Sequence, residues 1–177
     1  MDLRSFRTVK RDYYRCYTNP TGRFFMAVYL MRHGSCLSTG IDPRRPLSDE
    51  GIREVEAVAR TVSMFDIAPS GIRHSGKLRA RQTAEIMASC FGVDISIGEM
   101  DGLLPEDDAV VFAESLRGDE NTLFVGHLPF MERVVSYAIT RDPAMPVVRF
   151  QTASCVCLEN DVQNSRWVVR WAVMPPL

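Results

Sequence analysis

The chain has three histidines among its 177 residues, and each closes a short apolar run: His33 after "AVYLMR", His74 in "GIRHS" and His127 after "LFVG". Arg32 precedes the first, and Arg79 lies five residues past the second, in a stretch expected to open a helix. Two arginines, two or three imidazoles and a helix N-terminus suit a doubly charged phosphoryl group. Guanidinium forks match its oxygens, helix N–H groups favour anions, and a neutral imidazole attacks phosphorus or donates to an oxygen. The same set suits a metal poorly, because Arg32 and Arg79 would repel a cation and no carboxylate orients the imidazoles.

Each residue also has a plain structural reading. Arg32 and His33 could be solvated strand-end residues, Arg79 one charge on a wet helix face beside Lys77 and Arg81, and His127 a turn residue bonded to backbone. His74 reads mainly as structural. Joint placement at one rim favours a site, and that placement depends on the elements carrying the residues.

Those elements alternate. Ala27–Met31 reads as a buried strand ending at Arg32. "PLSDEGIREVEAVARTV" offers Ser48 as N-cap, acids in the first turn and Ile52, Val55, Ala59 and Val62 at helical spacing. "GIRHS" is a strand, followed by a helix with Leu78, Ile86 and Cys90 on its apolar face and Gly92 as stop. "VDISI" is a further strand, "DGLLPEDD" a loop, and "AVVFAESLRG" a helix closed by Gly118. "NTLFVGHLPFMERVVSYAIT" adds a strand and a helix, with Pro129 at the first helical position and Met131, Val134, Val135 and Ala138 inward. "SCVCLEN" and "RWVVRWAVM" read as an antiparallel strand pair. The order predicts an α/β fold of three layers: a mostly parallel open sheet, helices on both faces and an antiparallel C-terminal pair. Ligands of such sheets bind beyond the carboxyl ends of the strands, where all three histidines fall.

At 46% hydrophobic the chain supports one domain, expected over residues 26–177. A net charge of -1 argues against a broad nucleic-acid surface, and no apolar run reaches the length of a membrane span. Five scattered cysteines, with Cys155 and Cys157 taken to point to opposite faces of a strand, suggest reduced thiols and a cytoplasmic location. Residues 1–25, basic and aromatic, could be a nucleic-acid or membrane arm, but read better as an edge-packing extension or a leader before a start at Met26.

"MRHG", "RPLSDEG", "SGKLRARQTAE" and "VGHLPFM" together resemble the successive motifs of the SixA-type phosphohistidine phosphatases, in the RHG-motif histidine phosphatase superfamily that also holds the phosphoglycerate mutases. The resemblance implies that His33 is the nucleophile that becomes phosphorylated, that Arg32, Arg79 and His127 complete the phosphate pocket, and that Gly34 lets backbone lie against the nucleophile's ring. Ser75 matches the serine opening the second motif, with Gly76 where a proline often stands, and Ser35 replaces a residue that is often charged. "LLPEDD" resembles the family loop carrying the general acid and makes Asp108 the candidate, beside Glu106 and Asp107; its alternative is a helix N-cap. The implied activity is two-step dephosphorylation of phosphohistidine on a protein, such as a histidine phosphotransfer domain or a phosphocarrier, without metal or organic cofactor. Two alternatives are a small-molecule phosphomonoesterase of the same superfamily and a catalytically silent phosphate-binding module.

Overall fold

The computed structural model describes residues 27–65, 67, 69–91, 95–117, 121–161 and 166–176. The N-terminal extension, Gly92 and Gly118 lie outside the described residues. The elements run β1 (Ala27–Arg32), α1 (Asp49–Ser63), β2 (Gly71–His74), α2 (Leu78–Cys90), β3 (Ser96–Glu99), α3 (Ala109–Ser115), β4 (Thr122–Gly126), α4 (Phe130–Thr140), β5 (Cys155–Asp161) and β6 (Arg166–Val173). They form one six-stranded sheet of order β3-β2-β4-β1-β5-β6. The first four strands in that order pair in parallel, and β5 and β6 add antiparallel beside β1.

Side chains alternate across a strand, so β1 serves two cores at once. Ala27, Tyr29 and Met31 join Ile72, Leu123 and Val125 under α1 and α2. Val28 and Leu30 join Phe124, Val156 and Leu158 under α3 and α4. Both faces are therefore covered, and the central strands β1 and β4 are near-continuous apolar runs, as a parallel sheet requires.

Five expectations need correction. Ile52 is exposed; α1 turns Gly51, Val55, Val58, Ala59 and Val62 inward. The inward face of α2 is Ala80, Thr83, Ala84 and Met87, with Ile86 and Cys90 only partly buried at its flank, because small residues let the helix lie close to the sheet. The third strand begins at Ser96 and runs to Glu99, later than "VDISI" placed it. Cys155 and Cys157 share one face, both in the cluster with Met31, since residues two apart on a strand point the same way. Pro129 is the N-cap of α4, one position ahead of its expected place.

Register brings the chemistry together. Arg32 stands opposite Gly126, and His74 opposite Val125, so the carboxyl ends of β1, β2 and β4 are level. Neighbouring strands β1 and β4 then send their following helices to opposite faces, which opens a crevice between residues 33 and 127.

The floor of that crevice is fixed by α1. Ser48 caps the helix by accepting from Gly51 N at 3.1 Å, and Ser48 N donates to Ser35 O at 3.0 Å. A side chain at Gly51 would land on the Ser35 carbonyl, and one at Gly34 would meet Gly51 O and Val55 at 2.7 Å. In an ordinary helix interior Gly→Ala gains about 1 kcal/mol. Gly51→Ala should have the opposite sign, destabilising by ~1–3 kcal/mol or more as an overpacked contact does. Thermal unfolding followed by circular dichroism checks this; an unchanged or raised Tm would show that the loop after β1 yields freely.

Candidate active site

His33 and His127 face each other across the crevice, ring centroids 4.9 Å apart. Arg79, in the first turn of α2, reaches between them: its Nε donates to His33 Nε2 at 3.1 Å and its Nη2 to His127 Nδ1 at 3.4 Å. Both histidines are buried, at 8% and 1% exposure, so these are rings committed to an interior cluster.

The partners fix the tautomers. A carbonyl oxygen only accepts, and His33 Nδ1 lies 2.7 Å from Gly34 O; Nδ1 therefore carries the proton and Nε2 the lone pair. A guanidinium only donates, so His127 Nδ1 is unprotonated at rest and its Nε2–H donates to Ser75 Oγ at 2.6 Å. Burial, with the positive charges of Arg79, Arg32 and Arg45, pushes the His33 imidazole down to about 4 against a bonus from the Gly34 carbonyl. Burial, then His33 and the nearby cations, pushes His127 down to about 3. At neutral pH His33 is a neutral imidazole with its free electron pair on the atom that faces Arg79.

Arg32 enters from β1. Its Nη1 donates to Phe150 O at 3.1 Å, and its Nε is buried with no hydrogen-bond partner among the described residues, leaving a donor for an anion. Burial lowers its proton affinity, opposed by Glu132 and Glu54. Glu132, in the first turn of α4, accepts from Phe150 N at 3.0 Å and so holds the segment whose carbonyl holds Arg32. Glu54 accepts from Ser35 N at 2.8 Å, Ser35 Oγ at 2.9 Å and Thr152 Oγ1 at 3.0 Å, tying the loop after the histidine to the strand-β5 approach. Thr83 accepts from Gly34 N at 3.2 Å and donates to Arg79 O at 2.7 Å, joining the two halves of the site through one hydroxyl.

The structure thus brings Arg32, His33, Gly34, Arg79 and His127 together. Ser75 joins them through His127, and Ser35 acts as an anchor on Glu54. His74 stays apart: its Nδ1 accepts from Gly76 N at 3.1 Å, a local turn bond, and no hydrogen bond links it to the cluster among the described residues. Asp108 caps α3, its Oδ1 accepting from Val110 N at 2.9 Å and Val111 N at 3.1 Å. Asp107 Oδ2 accepts from Leu104 N, and Glu106 is exposed. Glu54, Thr83, Thr152 and Glu132 were missed from sequence. Thr83 alone left a signal there, a polar residue at helical spacing between Ala80, Ala84 and Met87.

Comparison with known proteins agrees with the geometry. Residues 28–103 match the model of the histidine phosphatase superfamily, branch 1. The chain is 28% identical over 117 residues to the phosphohistidine phosphatase SixA of Escherichia coli K12, covering 63% of this chain and 73% of that protein. A solved structure of the protein histidine phosphatase SixA complexed with tungstate superposes with a TM-score of 0.71 at 24% identity, covering 84% of this chain and 97% of that one. A phosphoserine phosphatase of Entamoeba histolytica shares the fold at a TM-score of 0.59 and 13% identity, over 85% of this chain and 97% of that one.

The depressed rings predict a titration. Imidazole resonances of His33 and His127 should show midpoints near 4 and 3, far below the ordinary ~6.5. Because the unfolded chain binds protons that these rings refuse, stability should be full above ~6.5 and fall as pH drops toward 4. Midpoints near 6.5 without ligand would show solvated rings.

Proposed function

We propose, from the SixA-type placement in the histidine phosphatase superfamily that these matches support, that this phosphatase removes phosphoryl groups from phosphohistidine on a protein through a covalent phospho-His33 intermediate. The observation that carries the reading is the Nδ1–H of His33 bonded to the Gly34 carbonyl with Nε2 free to accept.

The phosphoryl group enters with its oxygens between Arg32, Arg79 and His127. As Arg79 turns its N–H groups to those oxygens, His33 Nε2 loses its resting partner and gains its nucleophilic electron pair. Nε2 attacks phosphorus in line, the P–Nε2 bond forms, and the bond to the leaving group breaks. The His33 ring becomes a cationic phosphoimidazolium, stabilised where its charge develops by the Gly34 carbonyl. Water then attacks phosphorus, the P–Nε2 bond breaks, and neutral His33 and inorganic phosphate result. A departing imidazole, with an ordinary value of ~6.5, asks far less of an acid than an alkoxide does. That fits a site whose candidate acid, Asp108, is engaged as a helix cap.

Access favours a protein-borne substrate. The connections at the carboxyl ends of β1, β2 and β4 run over residues 33–48, 75–77 and 127–129, and none inserts a helix that would roof the crevice. E. coli SixA is a phosphohistidine phosphatase by name, which supports the same substrate here.

His33→Ala should abolish turnover of p-nitrophenyl phosphate without loss of fold, and Arg79→Ala should lower kcat by ~10²-fold or more, the scale of one removed preorganised donor. Acid-labile, base-stable phosphoenzyme should be trapped from wild type by rapid quench. In a panel, a phosphorylated histidine phosphotransfer domain should give the higher kcat/KM. A sugar phosphate turned over at ~10⁴–10⁸ M⁻¹s⁻¹ while the phosphoprotein is ignored would replace this reading with a small-molecule phosphatase.

A further inference from the structure

Residues 35–48 fold back on themselves. Cys36 and Leu47 form an antiparallel bridge, Leu37 N donates to Pro46 O at 2.9 Å, and Ser48 N to Ser35 O. Within this hairpin Arg45 N donates to Asp42 O at 2.9 Å, and Arg45 takes a left-handed backbone, φ 51°. A bulky residue there costs about 1 kcal/mol or more, and such strain persists where surrounding structure imposes it, often at a functional site. Here it directs the side chain back along the loop. Arg45 Nη2 lies 3.3 Å from Cys36 Sγ, three residues past the nucleophile, and Nε lies 3.4 Å from Leu37 O. Two residues on, Leu47 N donates at 2.7 Å to Gln82 Oε1, three residues past Arg79. The guanidinium is therefore held on the loop that follows the nucleophile, and the Leu47–Gln82 bond ties that loop to the helix that carries Arg79.

Its bonds are weak ones, to a thiol sulfur and to a distant carbonyl, and its neighbour behaves differently. Arg44 is exposed and pairs with Asp42 through Nε at 3.2 Å and Nη2 at 3.0 Å. No ion pair among the described residues includes Arg45. Its charge reaches the pocket, where it adds to the cations that disfavour protonation of His33 and Arg79. Arg79 and Arg45 enter no ion pair among the described residues, and two such cations beside Arg32 form an arrangement that an anion relieves.

We propose that Arg45 is a further substrate-binding residue, a cation at the pocket mouth that takes an oxygen of the incoming phosphoryl group alongside Arg32 and Arg79. The inference rests on the phosphatase reading above and adds a residue to it. Because Arg45 approaches from the mouth, it acts on capture of the dianion more than on the in-line step. Its removal therefore raises KM and leaves kcat nearly constant, the signature of uniform binding.

The test compares wild type, Arg45→Gln and Arg45→Lys by calorimetric binding of orthophosphate and by steady-state turnover of p-nitrophenyl phosphate. Arg45→Gln is expected to weaken orthophosphate binding and raise KM by ~10-fold, the scale of one charge-assisted hydrogen bond, with kcat within about twofold and Tm unchanged. Arg45→Lys is expected to recover most of the loss, because it keeps the charge. Unchanged orthophosphate affinity in Arg45→Gln overturns the proposal. So does an equal loss in both variants with a lowered Tm, which would make the guanidinium a packing element of the hairpin. Failure of the underlying reading looks different: wild type would bind or turn over phosphate compounds without any dependence on His33, and the binding comparison at Arg45 would still be read.

Discussion

The hydrogen bond from His33 Nδ1 to the carbonyl of its own neighbour, Gly34, at 2.7 Å decides what the site can do. Imidazole has two nitrogens of different character, and only a firm acceptor at one of them puts the lone pair on the other. With the proton held at Nδ1, the lone pair sits on Nε2, which faces Arg79 and is the atom proposed to attack phosphorus. In the proposed mechanism the same carbonyl would meet the positive charge that appears on the ring when phosphorus bonds to Nε2. A side-chain carboxylate in that place would bond more strongly, and would also bias the ring toward imidazolium at rest. A backbone carbonyl orients without charging, which suits a histidine that must stay neutral until it reacts.

That bond in turn depends on close contact between the loop after β1 and the N-terminus of α1. The Gly34 carbonyl is aimed because the peptide has no freedom: Gly34 N is held by Thr83, Ser35 N and Oγ by Glu54, and Ser35 O by Ser48. Bare backbone at Gly34 and Gly51 lets the two segments touch. Ser35 donates to a carboxylate on α1, and the negative charge near Arg32 comes from Glu54 and Glu132, two residues on opposite layers of the fold. Arg32 is thus balanced from both sides of the sheet, while Arg79 and Arg45 are balanced by no ion pair among the described residues.

The sheet and the His33–Arg79–His127 cluster were legible in the sequence because both follow from period and order. Apolar runs of strand length alternate with helical spacing, and parallel strands with covered faces align their carboxyl ends; His33 and His127 each stand one step beyond such an end, and Arg79 in the first turn of the helix after another. Less visible were the faces of α1 and α2. Ile52 looked like core and is exposed, because close approach is set by Gly51, whose missing side chain has no hydropathy to read. Cys155 and Cys157 were misplaced by ignoring the two-residue period of a strand, which the sequence itself supplied. Glu54 and Glu132 carry no local mark: a glutamate on an amphipathic helix looks solvated until tertiary folding brings an N–H within 3 Å of it. Asp108 shows the reverse case, a residue whose family position suggests proton transfer and whose local position, just before "AVVFAES", already favoured a cap.

Electrostatic placement distinguishes this crevice from a metal centre of similar composition. Two imidazoles within 4.9 Å of each other would make a fair start on a zinc site, had their free nitrogens been turned toward a shared point with carboxylates behind them. Instead each free nitrogen already receives an N–H from the same guanidinium, and the outer partners are a carbonyl and a hydroxyl. Desolvation and neighbouring cations push both rings toward neutrality, which a metal ligand also needs, but the surrounding positive charge would oppose a divalent cation as strongly as it favours an oxyanion. The neutral rings therefore serve a different end. On the proposed function, a phosphoryl dianion entering among Arg32, Arg79 and His127 would neutralise the local excess of charge and raise the proton affinity of both rings. His127 would then take up a solvent proton at Nδ1 and change from acceptor to donor, presenting to the phosphoryl group the nitrogen that faces Arg79 at rest. Substrate capture and the switch in hydrogen-bonding role would then be one electrostatic event, dependent on the anion because the resting proton affinity of the pair is low.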